Sequence, residues 1–492
     1  MKPIMPNGLA RAAARVATTI AAALVATAVT APPLAAQTPG PTAARAANLD
    51  TTARRPVAAV IDDYVKSGLS SNLALQSAEL EVERTAAALD AARARFFPEA
   101  ALVARYTRAE GGREISLPLA AAFNPVYLTL NDLLKANGQA PRFGTIQDPR
   151  FSLIRHREQD TRVTLRQPLY APAIPAAVRA QRAALEASRY AQLALTNRLR
   201  RDITAAYVDW SRTARAADLV VASRLLLSEN LRITESLYAN GKLTQDQVLR
   251  AKAELLALDQ QVIEVQNVRD QARSYLNFLL NRPLDTAVEA SEVDTEIART
   301  NADLAQLRTA AIAARPELAQ ADRAIGAAGA RASIARAARM PSLALAVDGG
   351  TQGERYEFGS GRNFSTVSVL LNWTLFDGGA RSADERAARI SERQARTQRE
   401  QLALQIELEV QQALDRLRAS TASLETAAAR AAAAQAAFRI ATRKRDEGMM
   451  SQLEFLDART SLSAAELNLN AVRYEVLARQ ADLDYATGGP RR

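Results

Sequence analysis

Two carboxylates, Glu454 and Asp457, stand three residues apart just after a glycine in "GMMSQLEFLDARTSL", residues 448–462. On a helix that spacing puts both on one face. Such a pair binds cations when it is crowded and is otherwise a solvated acidic face. From spacing alone the solvated face is the stronger reading. Little else offers chemistry. The chain has no cysteine, which excludes disulfides, thiol catalysis, Cys-based zinc sites and an acylated N-terminal cysteine. The single histidine, His156, sits in a polar stretch and reads as a surface residue, so no two-histidine metal site can be built. No nucleophile–base pair, metal cluster or Gly-rich phosphate loop is found, and neither an enzyme nor a cofactor is expected.

The formal charge of +10 fits nucleic acid, an anionic membrane surface or scattered surface arginines. The arginines are dispersed and not interleaved with stacking aromatics, so a nucleic-acid partner is not expected. The N-terminus reads as a secretory signal over residues 1–36: Lys2, Arg11 and Arg15, then the apolar run from Val16 to Val29, then the small-residue site "PLAA". No later stretch is apolar for the ~18 residues that a spanning helix needs.

The elements that carry the acidic pair come twice. "GKLTQDQVLRAKAEL", residues 241–255, repeats the skeleton of 448–462, with Gly241 answering Gly448 and Thr244 answering Ser451. "TAAYVDWSRT" at 204 faces "QQALDRLRAS" at 411, and "ARARFFPEAAL" at 92 faces "ARAARMPSLAL" at 335. The offset falls from 243 to about 207 along the chain, which places an insertion between Pro98 and Leu169. Residues 116–151, rich in Pro, Gly and Asn, read as its loop. One repeat covers 50–290, with an outer loop about 109–160. The other covers 296–488, with a loop about 349–363.

Each copy has one order: helix, strand, strand, long helix, returning helix. The first helix, 72–97, carries Leu73, Val82, Ala86 and Leu89 on one face and stops at Pro98. Strands follow at 161–167, 342–348 and 365–374, where Val163 and Leu165, Leu343 to Val347, and Val367 to Trp373 alternate with polar or small residues. Long helices run from near Pro175 to Asn240, and from an Asp377 N-cap to about Glu447. About 65 residues at ~1.5 Å each give ~100 Å. Gly241 and Gly448 end these helices at positive φ, and Thr244 and Ser451 start returning helices of about 40 residues. Leu199, Ile203, Tyr207, Trp210, Ala214, Ala217, Val221 and Leu225 form one narrow seam. Val248, Ala251, Leu255, Leu258, Val262 and Val265 form its partner.

Four strands, apolar on one side and polar on the other, cannot close a barrel, and lipid does not tolerate open sheet edges. Three chains would supply twelve strands in a closed wall, with the helices continuing it as a tube.

The signal peptide, the duplicated order, "LFDGG" at 375–379 and the paired tips "G…LEFLDART" and "G…DQVLRAKAEL" together resemble the TolC-like outer membrane efflux proteins, over about residues 55–488. The resemblance implies a mainly α chain forming a homotrimer, with a twelve-stranded barrel in outer-membrane lipid and an α-helical barrel in the periplasm. It implies passive conduction for an inner-membrane RND, ABC or MFS transporter through a periplasmic adaptor. The adaptor would meet the hairpin tips at Gly241, Thr244, Gly448 and Ser451, and Asp377, Gly378 and Gly379 would form the barrel-to-helix turn. Glu454 and Asp457 match the family's acidic gate ring, where like-charge crowding is expected to raise carboxylate pKa values and set cation preference. The chain departs from the family at Arg445, where an aromatic gate residue is usual, at Met450, where a basic one is, and at Gln247, which stands beside Asp246. The first copy has "LYAPA", residues 169–173, where the family has the glycine turn, and Pro172 and Pro175 are expected to make that crossing instead. The competing reading is a periplasmic coiled-coil adaptor, but such a protein has one hairpin and a compact β-rich domain, not two hairpins and four strands.

Overall fold

The computed structural model describes residues 55–291, 303–357 and 359–489, all within the unit Arg54–Arg492. The signal segment read at 1–36, and residue 296 where the second repeat is expected to start, lie outside the described residues.

The first copy runs α1 (Val57–Ser71), α2 (Leu73–Ala94), β1 (Glu99–Arg108), β2 (Glu114–Ser116), α3 (Leu119–Ala136), β3 (Arg150–Ser152), β4 (Arg157–Tyr170), α4 (Ala173–Ala239) and α5 (Gln245–Leu279). The second runs α6 (Leu304–Ala314), α7 (Pro316–Ala337), β5 (Ser342–Gly353), β6 (Asn363–Asn372), α8 (Ala380–Asp446) and α9 (Gln452–Ala486). The duplication is metrical. Helices α4 and α8 have 67 residues each, and α5 and α9 have 35 each rather than about 40. Both pairs are offset by 207.

The cores obey the same offset. Beside α1 and α2, the first copy buries Leu199, Ile203, Tyr207, Trp210 and Leu276. Beside α6 and α7, the second buries Ile406, Val410, Leu414, Leu417 and Leu483 at the matching positions. The Tyr207 hydroxyl lies 2.7 Å from Ser291 Oγ and donates to the Glu289 carbonyl at 3.1 Å, which satisfies the one polar atom this aromatic brings inside. Asn72 caps α2 by accepting from the amides of Ala74 and Leu75, and its amide donates to Leu279 O at 2.9 Å, tying α2 to the end of α5. Helix α4 joins the two copies, packing on α5 and α2 of its own copy and on α7 and α9 of the other.

Several expectations are corrected. The buried face of α2 is Leu75, Leu89 and Ala92, with Val82 and Ala86 half-buried, and Leu73 is 61% exposed because it lies half a turn round the helix from Val82. On α4 the seam leaves Val221 and Leu225 exposed and buries Val220, Ser223, Leu227, Asn230 and Thr234 instead. From Leu199 to Thr234 it repeats every 3.5 residues rather than 3.6, as a left-handed coiled coil does. The partner seam on α5 sits where its spacing places it, with Ala251 buried and Val248, Leu255, Leu258, Val262 and Val265 half-buried. Helix α4 starts at Ala173, ahead of Pro175. The stretch 116–151, read as a loop, holds the 18-residue α3 and the β2–β3 ribbon.

The four long strands form one antiparallel sheet in the order β1-β4-β5-β6, leaving β1 and β6 as edges. Directly opposed residues share a face. Leu102 faces Val163, Leu165 faces Val347, Val347 faces Val367 and Leu345 faces Val369, which makes one side apolar. Arg105, Asp160, Arg162, Arg166, Asp348 and Thr366 fall on the other. A Cβ at Gly350 would lie 2.3 Å from Thr161 O, so the backbone crosses beside Arg162 only with glycine there.

Candidate functional site at the hairpin tips

Both tips are built alike from the backbone up. Gly241 takes φ 69° and Gly448 φ 68°. The Gly241 amide donates to Tyr238 O and the Lys242 amide to Leu237 O, each at 2.9 Å. Gly448 and Met449 repeat this with Arg445 O at 2.9 Å and Lys444 O at 2.8 Å. These paired bonds close the last carbonyls of each long helix and require a residue comfortable at positive φ.

The helix starts differ. Thr244 takes the N-cap position of α5 without a side-chain cap bond. Ser451 forms a full capping box: its Oγ accepts from the Glu454 amide at 3.3 Å, and the Glu454 carboxylate accepts from the Ser451 amide at 3.0 Å and its hydroxyl at 2.9 Å. The Ser451 amide and hydroxyl, with Lys444 nearby, hold the Glu454 carboxyl below its usual range. This opposes the rise expected from a like-charged ring. The structure places Glu454 and Asp457 together, both exposed, in a shallow groove between α8 and α9 shared with Ile440, Lys444, Met450 and Leu453.

Arg445 makes a contact of its own. Its guanidinium sits 4.1 Å from the centre of the Phe455 ring, which packs on Phe438 at 5.6 Å. A cation–π clasp therefore ties the end of α8 to the start of α9. In the sequence, Phe455 is hidden between Glu454 and Leu456 as an ordinary seam residue.

The other end of α8 is fixed by Asp377, Gly378 and Gly379. The Asp377 carboxylate accepts from the amides of Gly379 at 3.1 Å and Arg381 at 3.0 Å and pairs with the Arg381 guanidinium at 2.6 Å. Gly379 rather than Asp377 holds the N-cap position, at φ 90° following Gly378 at φ 66°. Two successive positive φ angles explain the glycine pair. Arg381 also donates to Ala338 O at 3.2 Å, pinning the turn to the end of α7. Close by, Glu385 is buried and bound by Arg336, Arg339 and Arg389. Two of those partners are nearly fifty residues away, so local sequence gives no sign of the cluster.

Two turns above the tip, Arg459 is 6% exposed between α4, α5 and α9. One guanidinium nitrogen donates to Ser463 Oγ and another has no partner. Glu254 and Glu466 line the same cavity without forming an ion pair with it. Guanidinium keeps its charge when buried, and at Arg459 the desolvation outweighs the attraction of Glu466. Arg459→Met is therefore expected to stabilise the protein by about 1–4 kcal/mol, seen as a higher denaturation midpoint in detergent, whereas Arg459→Ala leaves a void and lowers it.

Residues 307–489 match the profile of the family described as Outer membrane efflux protein. The chain is TolC-like, and the match lies in its C-terminal half. No curated protein matches in sequence. Among solved structures, the outer-membrane channel OprN superposes with a TM-score of 0.70 at 20% identity, over 88% of this chain and 90% of its own. The Campylobacter jejuni CmeC outer membrane channel gives 0.72 at 17%, over 87% and 85%. The outer membrane protein VceC of Vibrio cholerae gives 0.68 at 19%, over 88% and 96%. The TolC-like fold therefore extends over both copies, whose long helices keep the offset of 207.

Proposed function

We propose that this TolC-like chain is the outer-membrane channel of a tripartite efflux or secretion system. The sheet carries the reading: four strands with one apolar face, one charged face and two unpaired edges, β1 and β6. A single copy leaves those edges and Val367, Val369, Leu371 and Leu375 exposed. Three copies joined β6 to β1 close twelve strands, put the apolar face on lipid and turn Arg105, Arg162, Arg166 and Asp348 toward water. Exposed Leu249, Leu256 and Ile263, seven residues apart on α5, supply a lateral stripe for the neighbouring copy in the helical tube.

In this reading the barrel stands in the outer membrane and the tube projects into the periplasm. Cargo is conducted passively, and an inner-membrane RND, ABC or MFS transporter supplies the energy. A periplasmic adaptor engages the tips at Gly241, Thr244, Gly448 and Ser451, and Glu454 and Asp457 ring the constriction. No helix among the described residues is long and apolar enough to cross a membrane. The coiled-coil adaptor alternative has no use for such a sheet.

The test is extraction and imaging of the full chain. The protein is expected to resist carbonate extraction, to migrate differently when heated and to show a threefold pore in electron micrographs. A monomer released without detergent overturns the proposal.

A further inference from the structure

The insertion of the first copy carries two apolar surfaces that nothing among the described residues covers. Beyond the sheet, the β1–β4 hairpin continues as a ribbon: Ala109 N donates to His156 O, Leu153 N to Arg113 O and Leu117 N to Pro149 O. In the ribbon Ile115 opposes Phe151, while Glu114 opposes Ser152 and Ser116 opposes Arg150. Leu117 and Leu153, each two residues from that pair, extend its apolar side, and all four are exposed. The alternation of the barrel strands thus persists past the sheet.

At the ribbon's end lies α3. Asn131 accepts from the amides of Arg142 and Phe143 and donates to Phe143 O, and Asn124 does the same with the amide and carbonyl of Ile146. These two clamps fix the return segment along one side of the helix, where Ala120, Asn124, Tyr127, Asn131 and Leu134 are half-buried. A quarter turn round, Leu119, Phe123, Val126, Leu130 and Leu133 form a stripe at helical spacing, and every one is exposed. The helix is therefore held in a fixed rotation with its apolar stripe free.

Charge indicates the occupant. Residues 108–157 carry seven Arg or Lys against four Asp or Glu. Arg108 and Arg157 oppose each other at the end of the sheet's apolar face, in line with Tyr106, Ala104 and Leu102 along β1. An apolar band that ends in paired arginines, followed by an amphipathic helix in a basic segment, is complementary to an anionic lipid surface.

We propose that α3 lies in the plane of the membrane surface on the side where the insertion emerges, its stripe among the acyl chains and the insertion's basic residues at anionic headgroups. This rests on the outer-membrane reading above.

The absence of native cysteine makes the test direct. Single-cysteine Val126→Cys, Val367→Cys and Thr366→Cys proteins, full length, are spin-labelled in vesicles of phosphatidylethanolamine and phosphatidylglycerol. Collision with oxygen is compared with collision with a water-soluble nickel chelate. The expected result is a several-fold preference for oxygen at Val126, as at Val367, with the reverse at Thr366. High nickel access at Val126 places the stripe in water, and low access to both reagents packs it against another copy; either overturns the proposal. A nickel-accessible Val367 removes the membrane reading itself, and the proposal with it. In phosphatidylcholine vesicles the preference is expected to fall at Val126 and hold at Val367, and no fall at Val126 rules out the electrostatic part. If Val126→Cys fails to assemble, Leu133→Cys reads the same stripe.

Discussion

Val367→Arg is expected to abolish accumulation of the heat-modifiable oligomer in the outer-membrane fraction. Val367 is 72% exposed, opposes Val347 and lies mid-strand on the apolar face. A charge on the lipid side of a barrel near the bilayer midplane costs about 2–4 kcal/mol, and a trimer carries it three times. That total, about 6–12 kcal/mol, is comparable with the whole stability of a domain. Thr366→Arg is the control: one residue away, it points to the opposite face, beside Asp348, and should assemble normally. Equal assembly of the two variants would show that the faces are not sorted between lipid and water.

The second large effect belongs to the tip. Glu454→Gln with Asp457→Asn should raise single-channel conductance several-fold in planar bilayers and weaken cation preference, since carboxylates crowded on an axis collect cations and repel one another. Unchanged currents would remove the pair from the gate. Glu454 also sets a pH dependence. Its folded carboxyl is held below its ordinary value by Ser451. The capping box therefore contributes fully above the ordinary carboxylate range and is lost only as pH falls through the lowered value. Single channels followed by acid titration should keep the Glu454-dependent part of their cation preference well into the acidic range. Ser451→Ala should move that loss to higher pH.

Much of this architecture was legible because repetition and periodicity are written in residue types. The offset of 207 could be read from matched glycines and seams, and the sheet's two faces from Val367, Val369 and Leu371. What escaped depended on contacts between distant residues. The turn-forming residues of 116–151 masked α3, although Leu119, Phe123, Val126, Leu130 and Leu133 have helical spacing. Asn124 and Asn131 read as loop formers, yet they clamp the return segment to the helix. The slip from Val221 and Leu225 to Val220 and Leu227 is the drift of a 3.6-residue helix wound to a 3.5-residue seam, which a short window does not reveal. At the tip the sequence offered Glu454 and Asp457 but not the Arg445–Phe455 clasp, because neither partner departs from what a helix surface or seam ordinarily carries.

The matched lengths of the four long helices restrict how this protein can change in evolution. Removing one residue from α8 alone would rotate everything beyond it by about 100° and leave its end about 1.5 Å short of its counterpart on α4. Tolerated indels should therefore come in sevens and strike outgoing and returning helices of both copies together, each step shortening or lengthening the tube by about 10 Å. Reach is thus a quantised trait, and relatives that span wider or narrower envelopes should differ by whole heptads.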